Sequence, residues 1–125
     1  MADELRAYRK LKTMFPRAHF TRVETWTSTG VPDANACMDG KESWIECKDV
    51  IDPKRPTTLI KSHNVRPEQI AWEARRREAG GRTFVALMVG KCFYLLRGTA
   101  LVELKNGLSR SRLSELSLDP SELFI

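Results

Sequence analysis

Apolar and polar positions change period several times along this chain. Tyr8, Leu11 and Phe15 recur at helical spacing with Glu4 on the same face, which predicts a helix over about residues 4 to 14. Asp3 stands where an N-cap belongs, and Pro16 closes the helix. His19 to Trp26 is rich in β-branched and aromatic residues and reads as a strand, followed by a small-residue loop from Thr27 to Pro32. Ala34 to Met38 predicts a second strand. Asp39-Gly40 is a hairpin turn signal leading into a third, buried run from Ser43 to Lys48. Asp49 to Val65 has no clear period and reads as a long, mobile loop, of the kind that is usually functional or disordered. Pro67 and Gly80 frame a helix of about 67 to 79. Thr83 to Val89 and Cys92 to Arg97 form a hairpin around Gly90-Lys91. Beyond them Ala100 to Leu104 fits helix or strand, and Arg110 to Leu118 is a weak amphipathic helix.

The expected order is α-β-β-β-α-β-β with a short helical tail. That is an α/β chain with a mixed central sheet and helices packed against it. Its 125 residues suit one domain with a single core, about residues 3–97, and a tail over 98–125. Hydrophobic residues at 42% allow globular packing. No apolar run approaches the roughly 20 residues of a membrane span, and the first residues are no signal peptide. Cys37, Cys47 and Cys92 lack the spacing of a zinc knuckle or redox pair, so buried free thiols in a reducing cytoplasm are expected.

Charge sharpens the picture. The net charge is +5, but residues 1–22 carry +4, residues 23–52 carry −5 and residues 53–82 carry +5. An acidic centre between basic flanks suits a metal site set in a phosphate-binding surface. The bland reading is a set of solvated faces.

The acidic centre contains the informative residues. Pro32-Asp33 is followed by Glu46-Cys47-Lys48 within a predicted strand. Side chains alternate along a strand, so Glu46 and Lys48 share one face and Ile45 and Cys47 the other. A carboxylate in a run with Trp44 and Ile45 is expensive to bury unless it is paired or binds metal. Lys48 could be only its salt-bridge partner. The other reading is chemical. Two carboxylates and an ammonium converging at a sheet edge can serve metal-assisted phosphodiester hydrolysis. The carboxylates hold Mg²⁺ or Mn²⁺, the metal activates water, and the lysine orients the water or offsets developing charge.

This pattern resembles the PD-(D/E)XK nuclease superfamily, and within it the VRR-NUC nucleases and the archaeal-type Holliday-junction resolvases. The resemblance spans roughly residues 3 to 97. It includes the helix carrying Glu4, the Gly-x-Pro-Asp turn, the Glu-x-Lys strand, Gln69 opening a helix, and Gly80-Gly81 before a hydrophobic strand. It implies a restriction-endonuclease-like fold and a Mg²⁺-dependent DNA endonuclease, with Mn²⁺ as a substitute. Asp33 and Glu46 would bind the metal, with the Cys47 carbonyl as a further ligand and Lys48 as the catalytic lysine. Gln69 would contact the metal-bound water or a phosphate. Glu4 is the favoured extra acidic residue, and Glu24, the alternative, is expected in an ion pair. Resolvase relatives act as dimers, and small nucleases of this sort are often phage- or mobile-element-encoded.

The expected DNA contacts are Lys54, Arg55, Lys61, Arg66, Arg76 and, from the loop before Asp33, Ser28. Arg75, Arg76 and Arg77 fan around one helix, so not all can face DNA. Glu73 and Arg77 are spaced for an ordinary i,i+4 pair. His19 reads as structural, and His63 as a loop residue or a DNA contact. No Gly-x-x-x-x-Gly-Lys loop offers a nucleotide triphosphate site. No sequence-reading module is present, which argues for recognition of backbone and shape and so for branched DNA. Two alternatives stand beside this reading. One is a non-catalytic DNA-binding protein that keeps the fold. The other is a sequence-preferring nicking or restriction-type enzyme, which would need the 49–65 loop for specificity.

Overall fold

The computed structural model describes residues 5–24 and 29–125. The order is α1 (Leu5–Met14), β1 (His19–Arg22), β2 (Ala34–Met38), β3 (Lys41–Val50), α2 (Pro67–Glu78), β4 (Thr83–Val89), β5 (Cys92–Arg97), α3 (Ala100–Asn106) and α4 (Arg110–Leu116). A 3₁₀ turn, Pro120–Phe124, closes the chain. The five strands form one mixed sheet in the order β1-β2-β3-β4-β5. Only β3 and β4 run parallel, joined by a crossover through α2. The other neighbours pair antiparallel.

β3 is therefore the central strand, and the expectation that Glu46 and Lys48 stand at a sheet edge is corrected. The strand is also longer than its apolar run. β2 pairs with Lys41 to Ile45 and β4 with Trp44 to Val50, so two neighbours together hold all ten residues extended. β1 is shorter than expected. Its ladder ends at Arg22↔Ala34, where β2 begins, and Trp26 lies outside the described residues. Asp39 and Gly40 both take positive φ (55° and 76°), as a tight hairpin of the twisted type requires.

The expected single core is two clusters, one on each face of the sheet. Ile45, Cys47, Phe84 and Ala86 face Ala7 and Leu11 of α1 and Leu123 and Phe124 of the closing turn. Val85, Leu87 and Leu96 face Leu101, Leu104, Leu108 and Leu113 with Ile60 and Val65. The strand alternation read from the sequence is what separates them. The tail is therefore structural. Each fully buried leucine stabilises by about 1.5–3 kcal/mol, and the tail supplies three of them, Leu104, Leu108 and Leu123, beside the buried Leu101 and Leu113.

The tail also anchors the segment expected to be a mobile loop. Ile60 and Leu108 exchange backbone hydrogen bonds at 2.7 and 2.8 Å, and Ser62 N–H donates to the Leu104 carbonyl at 3.0 Å. Arg110 donates to the Asp52 carboxylate (2.6 Å) and the Pro53 carbonyl (2.9 Å). The anchors come from residues more than 40 positions away, which no local pattern reveals. They carry the chain from β3 back over the sheet to α2.

Candidate active site

Three elements and one anchored loop meet at the C-terminal half of β3. β2 ends its ladder with β3 at Ala34↔Ile45, so the next β3 amide on that side has no strand opposite. Asp33 fills the place. Its Oδ2 accepts the backbone N–H of Cys47 at 2.8 Å, so the side chain extends the ladder by one bond. The acid is thereby held against the residue that separates Glu46 from Lys48.

Glu46 and Lys48 project from the α2 face of the sheet, and both are buried, 2% and 1% exposed. Buried charges are costly unless their polar atoms are satisfied. Gln69, three residues inside α2, does much of this. Its Oε1 accepts from Lys48 Nζ at 3.2 Å and from the Arg66 backbone N–H at 3.0 Å. Its Nε2 donates to Glu46 Oε1 at 3.4 Å, a long bond. Lys48 Nζ also donates to the Asn64 carbonyl at 2.9 Å, so the anchored loop supplies one wall of the site. One amide thus holds the acid, the lysine and the helix start in a single network.

The network opens onto a cleft of about 460 Å³ lined by Asp33, Lys48, His63, Asn64, Arg66 and Gln69. Glu46 lies beneath Gln69 and does not line it. A second cleft of about 640 Å³ shares His63 and Asn64 and takes in Lys61, Ile51 and Leu59. Gly30 brings the loop before Asp33 against α2. Its φ is +84°, and a Cβ there would stand 2.2 Å from the Glu68 carbonyl oxygen. Only glycine permits this approach.

The other expected site residues divide into those near the cleft and those away from it. Arg66 lines the cleft and Lys61 its neighbour; Lys54 and Arg55 are exposed farther along the loop. Arg76 is exposed, with its guanidinium 5.2 and 4.8 Å from the Trp44 and Trp72 ring centres. Glu4 and Ser28 lie outside the described residues. Glu24 pairs with Arg22 at 3.3 Å on the surface, as expected. The Glu73–Arg77 pair forms at 3.1 Å but is no ordinary surface pair. Glu73 is buried and also accepts the Thr83 hydroxyl at 2.7 Å, which fastens α2 to β4. Sequence reasoning missed Asn64, because it acts through its backbone carbonyl and side-chain chemistry gives no signal. It also missed the pairing of Trp44 with Trp72.

No family model matches the chain, and no curated protein matches it. Among solved structures, it is similar to Hjc, a Holliday junction resolvase from the archaeal hyperthermophile Archaeoglobus fulgidus. The TM-score is 0.58 at 19% identity, over 94% of this chain and 97% of that one. The fold is the nuclease-like fold of that resolvase. A small single domain with a mixed five-stranded sheet between helices is what the sequence predicts, and at 94% of the chain the similarity reaches into the tail. Among the described residues no helix is long and apolar enough to cross a membrane.

Proposed function

We propose that this chain is a metal-dependent endodeoxyribonuclease of PD-(D/E)XK type, from the VRR-NUC and resolvase branch, acting on branched DNA. The observation that carries the reading is the Gln69 network, which joins Glu46 and Lys48 beside the Asp33 cleft. An amide spanning a buried acid and a buried lysine is costly to maintain for packing alone.

The donors suit Mg²⁺ or Mn²⁺. Asp33 and Glu46 offer hard carboxylate oxygens, with the Cys47 carbonyl between them in sequence. Among the described residues no group of three or more His, Cys, Asp or Glu gathers as a metal site. Mg²⁺ needs only one or two carboxylates, since water and substrate phosphate complete its octahedron. Bound there, the ion would activate water and offset charge on the phosphate. Lys48, fixed by Asn64 and Gln69, holds a positive charge where the phosphate gains negative charge. Gln69 positions that lysine and can turn its amide to the phosphate. Arg66 offers a guanidinium at the rim. Glu4 stays in the proposal as a further acid.

Lys54, Arg55, Lys61, Arg66, Arg76 and Ser28 form the proposed DNA-binding set. Replacing any one phosphate-binding cation by alanine should lower the slope of log affinity against log salt by about one. A homodimer, an intracellular setting that keeps the three free cysteines reduced, and a phage or mobile-element source complete this reading. The burial of Glu46 beneath Gln69 favours a second reading, a DNA-binding protein without turnover.

Incubation with linear, nicked, flap and four-way DNA in Mg²⁺, Mn²⁺ or Ca²⁺ separates the two. The nuclease reading expects cleavage of branched DNA with Mg²⁺ or Mn²⁺ and little with Ca²⁺, whose looser coordination positions water poorly. Binding without cleavage under every condition would establish the second reading.

A further inference from the structure

Alternation along β3 places Trp44 on the same face as Glu46 and Lys48. The helical period places Trp72 and Arg76 on α2 in line with Gln69. The two rows meet. Trp44 and Trp72 pack edge to face with ring centres 5.4 Å apart, and the Arg76 guanidinium lies over both. A Cβ at position 81 would fall 2.4 Å from Arg76 Cδ, so Gly81 makes room for that side chain. Trp72, Arg75, Arg76 and Ala79 line a recess of about 260 Å³ open to solvent. The bland role is a surface cation–π contact that steadies α2. It does not account for a half-buried indole lining an open recess with two arginines, in line with the candidate active site.

We propose that this recess holds one unpaired nucleotide of the bound DNA. Its base stacks on Trp72, and its phosphate is held by Arg75 and Arg76. Indole offers a π-face that any base can use, and arginine is the usual partner for phosphate. Trp44 and Glu46 are two residues apart on β3, roughly 7 Å. The recess therefore lies beside the candidate active site. A base within a continuous duplex is stacked and cannot enter the recess, whereas a branch supplies one already free. The recess thus selects branched DNA by the state of its bases and needs no sequence reading. This inference rests on the nuclease reading above.

The test is a cycle between protein and DNA. Binding is measured by fluorescence anisotropy in EDTA, so no cleavage intervenes. The DNA is a duplex with a three-nucleotide flap, its flap residues either normal or abasic. Wild type should bind the normal flap about 5- to 150-fold more tightly than the abasic flap, the range for one stacked base. Trp72→Ala should bind the two alike, and Trp72→Phe should keep part of the preference. Circular dichroism checks each variant, and Trp72→Leu replaces Trp72→Ala if the latter does not fold. An undiminished preference in the folded non-aromatic variant overturns the recess, and so does a wild type indifferent to flap bases. Failure of wild type to bind any DNA would instead overturn the nuclease reading itself.

Discussion

The Asp33 carboxylate accepts the Cys47 backbone N–H at 2.8 Å, two residues along β3 from the last β2–β3 pair, Ala34↔Ile45. The acid thus has a structural duty separate from its charge, and two substitutions can divide them. Asn keeps an oxygen that can accept the same bond; Ala does not. Asp33→Asn should keep near-normal stability and lose cleavage activity. Asp33→Ala should also lose about 1–3 kcal/mol, the cost of leaving a buried donor unsatisfied. Urea denaturation beside a cleavage assay checks this, and equal stability of the two variants would mean the bond contributes nothing.

Lys48 is among the largest fully buried side chains, so its removal is not a pure test of charge. Lys48→Ala deletes the charge and leaves a cavity beside the Gln69 amide and the Asn64 carbonyl. Lys48→Met deletes the charge and nearly keeps the volume. Both should be inactive. Lys48→Ala should be less stable than Lys48→Met by roughly 1–3 kcal/mol. Thermal unfolding and single-turnover cleavage measure the two effects. A Met variant with near-normal turnover would remove Lys48 from the proposed chemistry.

Gly30 sets the spacing between the Asp33 loop and the start of α2. In Gly30→Ala the added methyl meets the Glu68 carbonyl in a left-handed backbone conformation. The conformation alone costs on the order of 1–3 kcal/mol, and the overlap forces the loop from the helix. Stability should fall and so should activity, because Asp33 and Gln69 are held from the two sides of that contact. Hydrogen exchange should quicken first around residues 29–33 and 66–69. Uniform exchange with unchanged activity would contradict the role.

The Arg112 hydrogen bond holds the Glu103 carboxyl below its ordinary value of about 4.5. A carboxyl with a lower pKa in the folded state adds stability that is complete above its unfolded value. That stability fades as pH falls through the folded value. Glu103→Gln should therefore be slightly less stable than wild type at pH 7, and the gap should close in acid. The effect is small because the pair is exposed and screened. Urea midpoints at pH 7 and near pH 3 check the sign; a gap that widens in acid would reverse the assignment.

Elements with a strong local signal were legible in the sequence. The hairpin strands β4 and β5 have the expected bounds, and α2 lies within one residue of them, because Pro67, Gly80 and Gly90 punctuate them. Alternation alone placed Glu46 and Lys48 on one face and Ile45 and Cys47 on the other. The candidate residues Asp33, Glu46 and Lys48 could be chosen by type and spacing, since a buried Glu-x-Lys is expensive enough to need a reason, whereas Gln69 was chosen by the family resemblance. What local pattern cannot carry is pairing between distant segments. The central place of β3, the anchoring of the 51–66 segment to α3 and α4, and the two-faced core all depend on contacts far apart in sequence. The tail was set outside the core because its amphipathic signal is weak, yet its leucines cover the sheet. Asn64, Trp72 and Arg76 acquire their positions only when α2 docks on β3. A carbonyl and two edge-to-face indoles have no signature until folding brings their partners to them.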